Sequence, residues 1–244
     1  MKATEQKVLR FIKENELLSF GEKILVALSG GPDSVFLLHF LNKYKKKFKI
    51  KIGAVHINHL LRGKDSDRDE LFCKVICEEL SIPFYLLRKD IKSVSKKNKS
   101  SLEVTGRKIR YEFFEKISKS NQYDIIATAH NADDNTETVL LNLIKGTGIK
   151  GIAGIPVRRN NIIRPILSLT KKEILDYLEA NRFEYRIDES NLSNNFERNF
   201  LRNEVIPLIQ KNINPSFSNS ALITSLNLQR LNFGFSEIVG EIKS

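Results

Sequence analysis

The chain has 244 residues, of which 41% are hydrophobic and 28% are charged. This composition is that of an ordinary globular protein, and it excludes a chain that is disordered throughout. Lys and Arg together number 40 against 29 Asp and Glu, a formal net charge of +11, which favours polyanionic partners such as nucleic acids or phosphorylated ligands.

The cysteines and the apolar segments exclude further classes of protein. Cys73 and Cys77 are the two cysteines of the chain, too few for a disulfide scaffold or a four-cysteine zinc site and typical of a reducing compartment. No run of about 18 apolar residues is present, and the N-terminus lacks the apolar core of a signal peptide. We therefore expect a cytoplasmic protein without a membrane partner.

Strand and helix patterns alternate along most of the chain. Short apolar runs predict strands over residues 24–28, 51–57, 83–87 and 124–129. Helical spacing predicts helices over residues 34–44, 67–80, 101–118 and 133–145. This alternation predicts an α/β fold with a doubly wound, mostly parallel, Rossmann-like sheet, in which ligands lie beyond the carboxyl ends of the strands.

Two segments depart from the alternation. Residues 145–154 hold four glycines and predict a tightly turning loop. Beyond about residue 188 the chain is rich in Asn, Ser and Arg, with a helical stretch over residues 196–210 and a tail after Pro215 that resembles an incomplete helical pair. We therefore divide the chain into a catalytic domain, residues 1–188, and a short helical extension, residues 189–244.

The segment between the first strand and the first predicted helix is suited to binding phosphate. It consists of Ser29, Gly30, Gly31, Pro32, Asp33 and Ser34. Paired glycines let the backbone approach an oxyanion, and a helix N-terminus supplies N–H donors and a favourable dipole. The segment has neither the Gly-Lys-Ser/Thr of a Walker A loop nor GxGxxG. An ordinary turn is the alternative; the order of strand, glycines, Asp and Ser instead resembles the pyrophosphate-binding loop of the N-type ATP pyrophosphatases.

Other segments narrow this resemblance to one family. The second strand ends in His56-Ile57-Asn58-His59-Leu60-Leu61-Arg62, and the fourth runs into Thr128-Ala129-His130-Asn131-Ala132-Asp133-Asp134, followed by Glu137. Residues 103–111 include Arg107 and Arg110, and Arg164-Pro165-Ile166-Leu167, residues 188–191, Arg198 and Arg202 follow. In this order, over about residues 20–208, they resemble the tRNA(Ile)-lysidine synthetase family of the PP-loop superfamily.

The resemblance implies an ATP-dependent carbon–nitrogen ligase. It implies that ATP, with Mg²⁺ bound to its phosphates, adenylates the wobble cytidine of tRNA(Ile) with a CAU anticodon, and that free L-lysine then displaces AMP. The family usually has His at position 131 and further C-terminal domains, whereas this chain has Asn131 and stops soon after residue 208. Neither the oligomeric state, monomer or homodimer, nor the manner of tRNA discrimination follows from these motifs.

Roles for individual residues combine the resemblance with their chemistry. Asp134 and Glu137 are three residues apart on one predicted helix face, where two carboxylates could hold or deprotonate a lysine ammonium. Helix capping by Asp133 and Asp134 is the alternative. The resemblance places Asp33, Asp134, Glu137 and Arg110 in catalysis, and Asp134, Glu137, Arg110 and Arg202 on lysine.

The remaining cationic residues have competing interpretations. Arg107 and Arg110 suit a phosphate or a carboxylate, or they belong to a solvated helix face. His56 and His130 are expected to contact the nucleotide, although a structural role for His130 stays open. A zinc site at His56 and His59 lacks further ligands. We expect Arg62, Lys145, Lys150, Arg158 and Arg159 to contact tRNA, and residues 43–49 to be mainly solvated charge at the far end of the first helix.

Two rival functions remain at this stage. A tRNA thiolase of the same superfamily would use a sulfur carrier in place of lysine, and such enzymes commonly need extra cysteine pairs. A non-catalytic RNA-binding protein could also keep an inherited nucleotide fold. The intact loop and the Asp134–Glu137 pair favour the ligase.

Overall fold

The structure is a computed structural model that describes residues 2–61, 63–187 and 197–243, with side chains described up to residue 231. The predictions for Arg62 and for residues 188–191 lie outside the described residues.

The elements follow one another in the order that the sequence predicts. The strands are β1 (Lys23–Ala27), β2 (Lys51–Asn58), β3 (Phe84–Arg88), β4 (Ile125–Ala127), β5 (Arg158–Arg159) and β6 (Ile162–Ile163). The helices up to β6 are α1 (Lys2–Glu14), α2 (Pro32–Phe48), α3 (Lys64–Glu79), α4 (Ile91–Asn98), α5 (Leu102–Asn121), α6 (Ala132–Ile144) and α7 (Ile149–Ile152). They are followed by α8 (Lys171–Ala180), α9 (Glu197–Phe200), a π-helical turn (Leu201–Val205), α10 (Ile206–Asn212) and α11 (Phe217–Lys243).

The strands form one sheet in the order β3-β2-β1-β4-β6-β5. All neighbours are parallel except β5 and β6, which form an antiparallel pair. The predicted doubly wound, mostly parallel fold is thus confirmed. The strand order reverses between β1 and β4, and the crevice at such a switch point is where ligands bind in open α/β sheets.

Burial on both faces explains why the central strands are apolar throughout. Ile24, Leu25 and Val26 of β1 are fully buried. One face of the sheet packs under α2, whose Phe36 belongs to the larger core cluster. The other face packs under α5 through Phe114. A parallel strand covered by helices on both sides has no polar alternation, as the sequence predicts.

Four helices up to residue 180 were not predicted from the sequence: α1, α4, α7, which lies within the predicted loop of residues 145–154, and α8. α1 buries Val8, Phe11 and Ile12, an i, i+3, i+4 stripe. α4 is only eight residues long and begins at Asp90, whose side chain accepts a hydrogen bond from the backbone N–H of Ser93. Neither α1 nor α4 contributes a residue to the loop after β1, whereas α8 brings Lys171 to it.

The described part of the predicted C-terminal extension packs onto α6 and α7. Beyond α10 it forms the single helix α11, where an incomplete helical pair was expected. Ala221, Leu222 and Ser225 are buried, and Gln229 Nε2 donates to the carbonyl of Ala153 at 2.8 Å. Although α11 is long, no helix within the described residues is apolar enough to cross a bilayer.

The basic run at the end of α2 lies at the opposite end of that helix from the phosphate loop. Lys45, Lys46 and Lys47 fall in its last turn, where cations interact favourably with the helix dipole, as predicted. Lys43 differs, because its Nζ donates to the buried carboxylate of Glu5 at 2.6 Å. This ion pair therefore links α1 to α2.

Candidate active site

A cleft of about 1760 Å³ opens at the carboxyl ends of the central strands. The loop after β1 contributes Ser29, Gly31, Pro32, Asp33 and Ser34 to its lining. The other predicted catalytic and substrate residues also line it: His56, Arg110, His130, Asp134, Glu137 and Arg202. The structure thus gathers residues from positions 29 to 202 at the edge that the fold class predicts.

The loop after β1 is held by its own serines. Ser34 Oγ donates to the carbonyl of Gly31 at 2.9 Å and accepts from the backbone N–H of Ser29 at 3.1 Å. Gly30 has φ +87°, a conformation that side chains disfavour. A Cβ at Gly30 would also lie 3.3 Å from Cys73 Sγ. Pro32 begins α2, so the loop ends at a helix N-terminus that can receive an anion.

Asp33 is bound by two residues from distant parts of the chain. Its Oδ2 accepts from Lys171 Nζ at 2.7 Å, and its Oδ1 accepts from Asn131 Nδ2 at 3.1 Å. Burial raises the pKa of the Asp33 carboxyl, and the charge of Lys171 opposes this rise. The motif itself lacks the lysine of a Walker loop; the tertiary structure brings Lys171 to the loop instead.

Asn131 and Asp134 cap α6 reciprocally. The Asn131 side chain accepts from the backbone N–H groups of Asp133 and Asp134, while Asp134 Oδ2 accepts from the Asn131 N–H at 3.0 Å. Asp134 therefore caps α6 as the alternative predicts, and this role can coexist with one in lysine binding. Asp133 caps a different helix, because its Oδ2 accepts from the first N–H of α8, that of Lys171, at 2.6 Å.

Glu137 forms a bidentate ion pair with Arg202. Arg202 Nε and Nη2 donate to the two carboxylate oxygens at 2.6 and 2.9 Å, and the Glu137 side chain is 2% exposed. Arg202 also lies 3.5 Å from Asp134 Oδ1. Burial raises the pKa of Asp134, and it raises that of Glu137 against the opposing charge of Arg202. Arg202 lies on the π-helical turn, a local distortion often found at functional sites.

Three arginines from two parts of the chain form a cationic wall in the same cleft. Arg107 and Arg110 from α5 line the cleft with Arg164, which follows β6. Arg164 is 4% exposed and donates to the carbonyl of Pro156 at 2.6 Å, while its buried Nε has no hydrogen-bond partner within the described residues. Because several positive charges lie close together there, the wall is suited to binding an anionic group of a substrate.

The histidines beside this wall are held neutral. Burial and the charge of Arg164 lower the pKa of His130 to about 3, and burial and Arg110 lower that of His59 to about 4. His130 Nδ1 lies 3.1 Å from Thr128 Oγ1. His56 is buried with Nδ1 2.8 Å from the carbonyl of Leu28, and burial lowers its pKa. Neutral imidazoles can orient a nucleotide by hydrogen bonds without adding charge.

The residues predicted to contact tRNA are separated by the fold. Arg159 lines the cleft, whereas Arg158 turns away and its Nη2 donates to the carbonyls of Glu16 and Leu17 at 3.0 and 2.9 Å. The two arginines are adjacent in β5, and successive side chains of a strand point to opposite faces. Lys145 and Lys150 are exposed within the glycine-rich segment of residues 145–154, and Lys145 forms an ion pair with Glu197.

The two cysteines lie in a helix, away from solvent. Cys73 and Cys77 are buried in α3, where burial raises the pKa of both thiols, that of Cys77 to about 12. Such thiols are poorly reactive. In the part of the chain that the structure describes, no group of three or more His, Cys, Asp or Glu side chains could hold a metal ion.

Sequence reasoning missed Lys171 and the two roles of Asn131. Lys171 stands at the first position of α8, after Thr170, and Thr170 and Glu173 form a capping box. That sequence signature marks a helix start but carries no hint of a phosphate site, since it lies 138 positions from Asp33.

Comparison with known proteins agrees with the geometry. A family model described as a PP-loop domain matches residues 1–209. A tRNA(Ile)-lysidine synthase of Clostridium perfringens is 46% identical over 212 residues, which are 86% of this chain and 45% of that protein. One from Petrotoga mobilis is 40% identical over 216 residues, 88% of this chain and 69% of that protein. The chain thus spans less than half of the Clostridium perfringens relative.

Among solved structures, the chain resembles the U34-tRNA thiolase NcsA from Methanococcus maripaludis with its [4Fe-4S] cluster. The TM-score is 0.77 at 22% identity, covering 93% of this chain and 78% of that one. At this identity the likeness establishes the fold alone. The match of the PP-loop model over most of the chain, together with the relatives of 40–46% identity, shows that this chain belongs to the PP-loop family, among the tRNA(Ile)-lysidine synthases.

Proposed function

We propose that this chain forms lysidine on tRNA(Ile) with a CAU anticodon, using ATP and free L-lysine. The observation that carries the proposal is the shared cleft, in which the phosphate loop, the acids Asp134 and Glu137 and the arginine wall face one space. The names of the relatives support the same substrate.

In the first half-reaction the C2 carbonyl oxygen of the wobble cytidine attacks the α-phosphate of ATP, and pyrophosphate leaves. The loop from Ser29 to Ser34 holds the β- and γ-phosphates through backbone N–H groups and hydroxyls. Mg²⁺ entering with ATP would spread charge on the leaving group, and Asp33 is the carboxylate of the loop that fits such a cation. Arg110 at the wall is positioned for the α-phosphate or for the substrate carboxylate.

In the second half-reaction the lysine ε-nitrogen attacks C2, the C2–O bond breaks and AMP leaves. The amine must first lose a proton, because its ordinary pKa is about 10.4. Asp134 is suited to accept that proton, since burial raises its pKa. Glu137 and Arg202 together offer one negative and one positive group, which matches the two charged ends of an amino acid.

The cytidine has to be unstacked before it can enter the cleft. An anticodon loop permits this at low cost, and the net charge of +11 favours binding of the surrounding phosphates. Arg159 is the predicted tRNA residue that lines the cleft, with Lys145 and Lys150 farther out. Such a reaction belongs in the cytoplasm, where we expect the protein to act.

The decisive experiment is incubation of the chain with a tRNA(Ile) transcript, ATP and labelled lysine. Label retained on RNA, dependent on ATP, is the expected result. A transcript in which the anticodon cytidine is replaced by uridine is the matched control and should stay unlabelled. ATP–pyrophosphate exchange that requires tRNA, without lysine transfer, would indicate a different nucleophile such as the sulfur donor of a thiolase. No exchange at all would indicate a non-catalytic RNA-binding protein.

A further inference from the structure

The side chain of Lys171 reaches the phosphate loop, although no sequence motif links its segment to that loop. Lys171 Nζ lies 2.7 Å from Asp33 Oδ2, across a sequence separation of 138 residues. Its side chain is 41% exposed, and both residues line the cleft. The ammonium is therefore at the loop and open to the space in which ligands would bind.

The helix start that carries Lys171 is fixed by hydrogen bonds to its own turn and to α6. Thr170 and Glu173 cap α8 reciprocally, and Asp133 Oδ2 accepts from the Lys171 N–H at 2.6 Å. Asp133 in turn accepts from Ser218 Oγ of α11 at 2.5 Å. Asp133 therefore links the start of α8, and with it Lys171, to α6 and α11.

The charge of the loop also calls for a cation. Asp33 gives the loop one negative charge, and a triphosphate or pyrophosphate adds several more. The helix N-terminus and the serine hydroxyls provide only partial charges. An ammonium carries three N–H donors, and within the described residues Lys171 Nζ gives one of them to Asp33. The others can reach a phosphate oxygen while that contact is kept.

We propose that Lys171 is a phosphate-binding residue of this loop, holding the pyrophosphate part of ATP and the departing pyrophosphate through its Nζ. The loop sequence contains no lysine, and the folding of the chain places the ammonium of Lys171 beside the loop instead. The inference rests on the proposed binding of ATP phosphates by the loop, but not on lysine or tRNA as the other substrates.

The test compares pyrophosphate and AMP binding by calorimetry, with Mg²⁺ present, for the 244-residue chain and two variants. Lys171→Met should weaken pyrophosphate binding about 10- to 100-fold, the effect of losing a charge-assisted hydrogen bond, and leave AMP affinity within about twofold. Lys119→Met is the matched control, because Lys119 is exposed, lies outside the cleft and forms an ion pair with Glu115. It should bind both ligands as the parent does.

A second measurement uses the parent chain and so does not depend on how the variant folds. Acylation of lysines, mapped by mass spectrometry, should slow at Lys171 when pyrophosphate is added and stay unchanged at Lys119. Pyrophosphate affinity of Lys171→Met within twofold of the parent, or equal acylation of Lys171 with and without pyrophosphate, would overturn the inference. A chain that makes no lysidine but binds pyrophosphate through Lys171 would contradict the proposed function and leave this inference standing.

Discussion

Arg202 binds Glu137 through two parallel hydrogen bonds, although the residues lie 65 positions apart. The carboxylate is almost completely buried, whereas the arginine is 39% exposed toward the cleft. In the proposed reaction, an approaching lysine would meet a carboxylate whose charge is already partly balanced. We therefore expect lysine binding to depend on how Glu137, Asp134 and Arg202 share charge.

Glu137→Gln should raise the lysine KM about 10- to 100-fold and change the ATP KM little. The amide keeps the shape of the side chain but removes a charged acceptor, and it leaves the positive charge of Arg202 uncompensated beside an incoming ammonium. Adenylated tRNA should accumulate at low lysine concentration, which single-turnover assays can measure. Glu115→Gln is the control, because Glu115 is exposed and pairs with Lys119. A Glu137→Gln variant that is less stable but uses lysine normally would place the lysine pocket elsewhere.

The adjacent arginines of β5 should respond oppositely to charge reversal. Arg159→Glu should weaken tRNA binding and lower the salt dependence of the affinity by about one phosphate contact, because Arg159 lines the cleft. Arg158→Glu should instead lower the free energy of unfolding by about 1.5–3 kcal/mol, since it loses two hydrogen bonds to backbone carbonyls. Filter binding and urea unfolding separate the two effects. Equal loss of tRNA affinity in both variants would contradict this division.

Substitution of Asp133 should lower the free energy of unfolding, although the side chain is partly exposed. It joins α6 to α8 through the Lys171 N–H and to α11 through Ser218 Oγ. Asp133→Asn should lower the free energy of unfolding by about 1.5–3 kcal/mol, and Ser218→Ala by about 0.5–1.5 kcal/mol. Because the residues are in contact, the double variant should lose less than the sum. Additive losses in urea unfolding would show that Asp133 and Ser218 act independently.

His59 should make the protein lose stability between about pH 6.5 and 4. Its pKa falls from 6.5 to about 4 on folding, through burial and the charge of Arg110. Below pH 6.5 His59 becomes protonated in the unfolded chain but stays neutral in the folded chain. The free energy of unfolding therefore decreases as the pH falls. The slope for one such histidine approaches about 1.4 kcal/mol per pH unit. His59→Gln should flatten the curve in this window, and a parallel curve would contradict the assignment.

The sequence by itself determined the fold class and the edge of the sheet at which the site lies. Apolar runs such as residues 24–26 predicted strands buried on both faces, because a parallel strand covered by helices has no polar alternation. The loop from Ser29 to Ser34 was identifiable because a glycine pair between a strand and a helix has a local physical meaning. His130, Asp134 and Glu137 follow β4 directly, and chain order alone places them at that edge.

Only the tertiary structure determined which charged side chains form ion pairs with one another. Lys171 reaches Asp33, and Arg202 reaches Glu137, across separations of 138 and 65 residues. Arg158 and Arg159 are equivalent in the sequence but lie on opposite faces of a two-residue strand too short to show alternation. Hydrogen bonds between side chains depend on distances of a few ångströms, whereas sequence patterns report only the periodicity of each element. Local motifs therefore predicted where the site is, and packing determined how its charges are balanced.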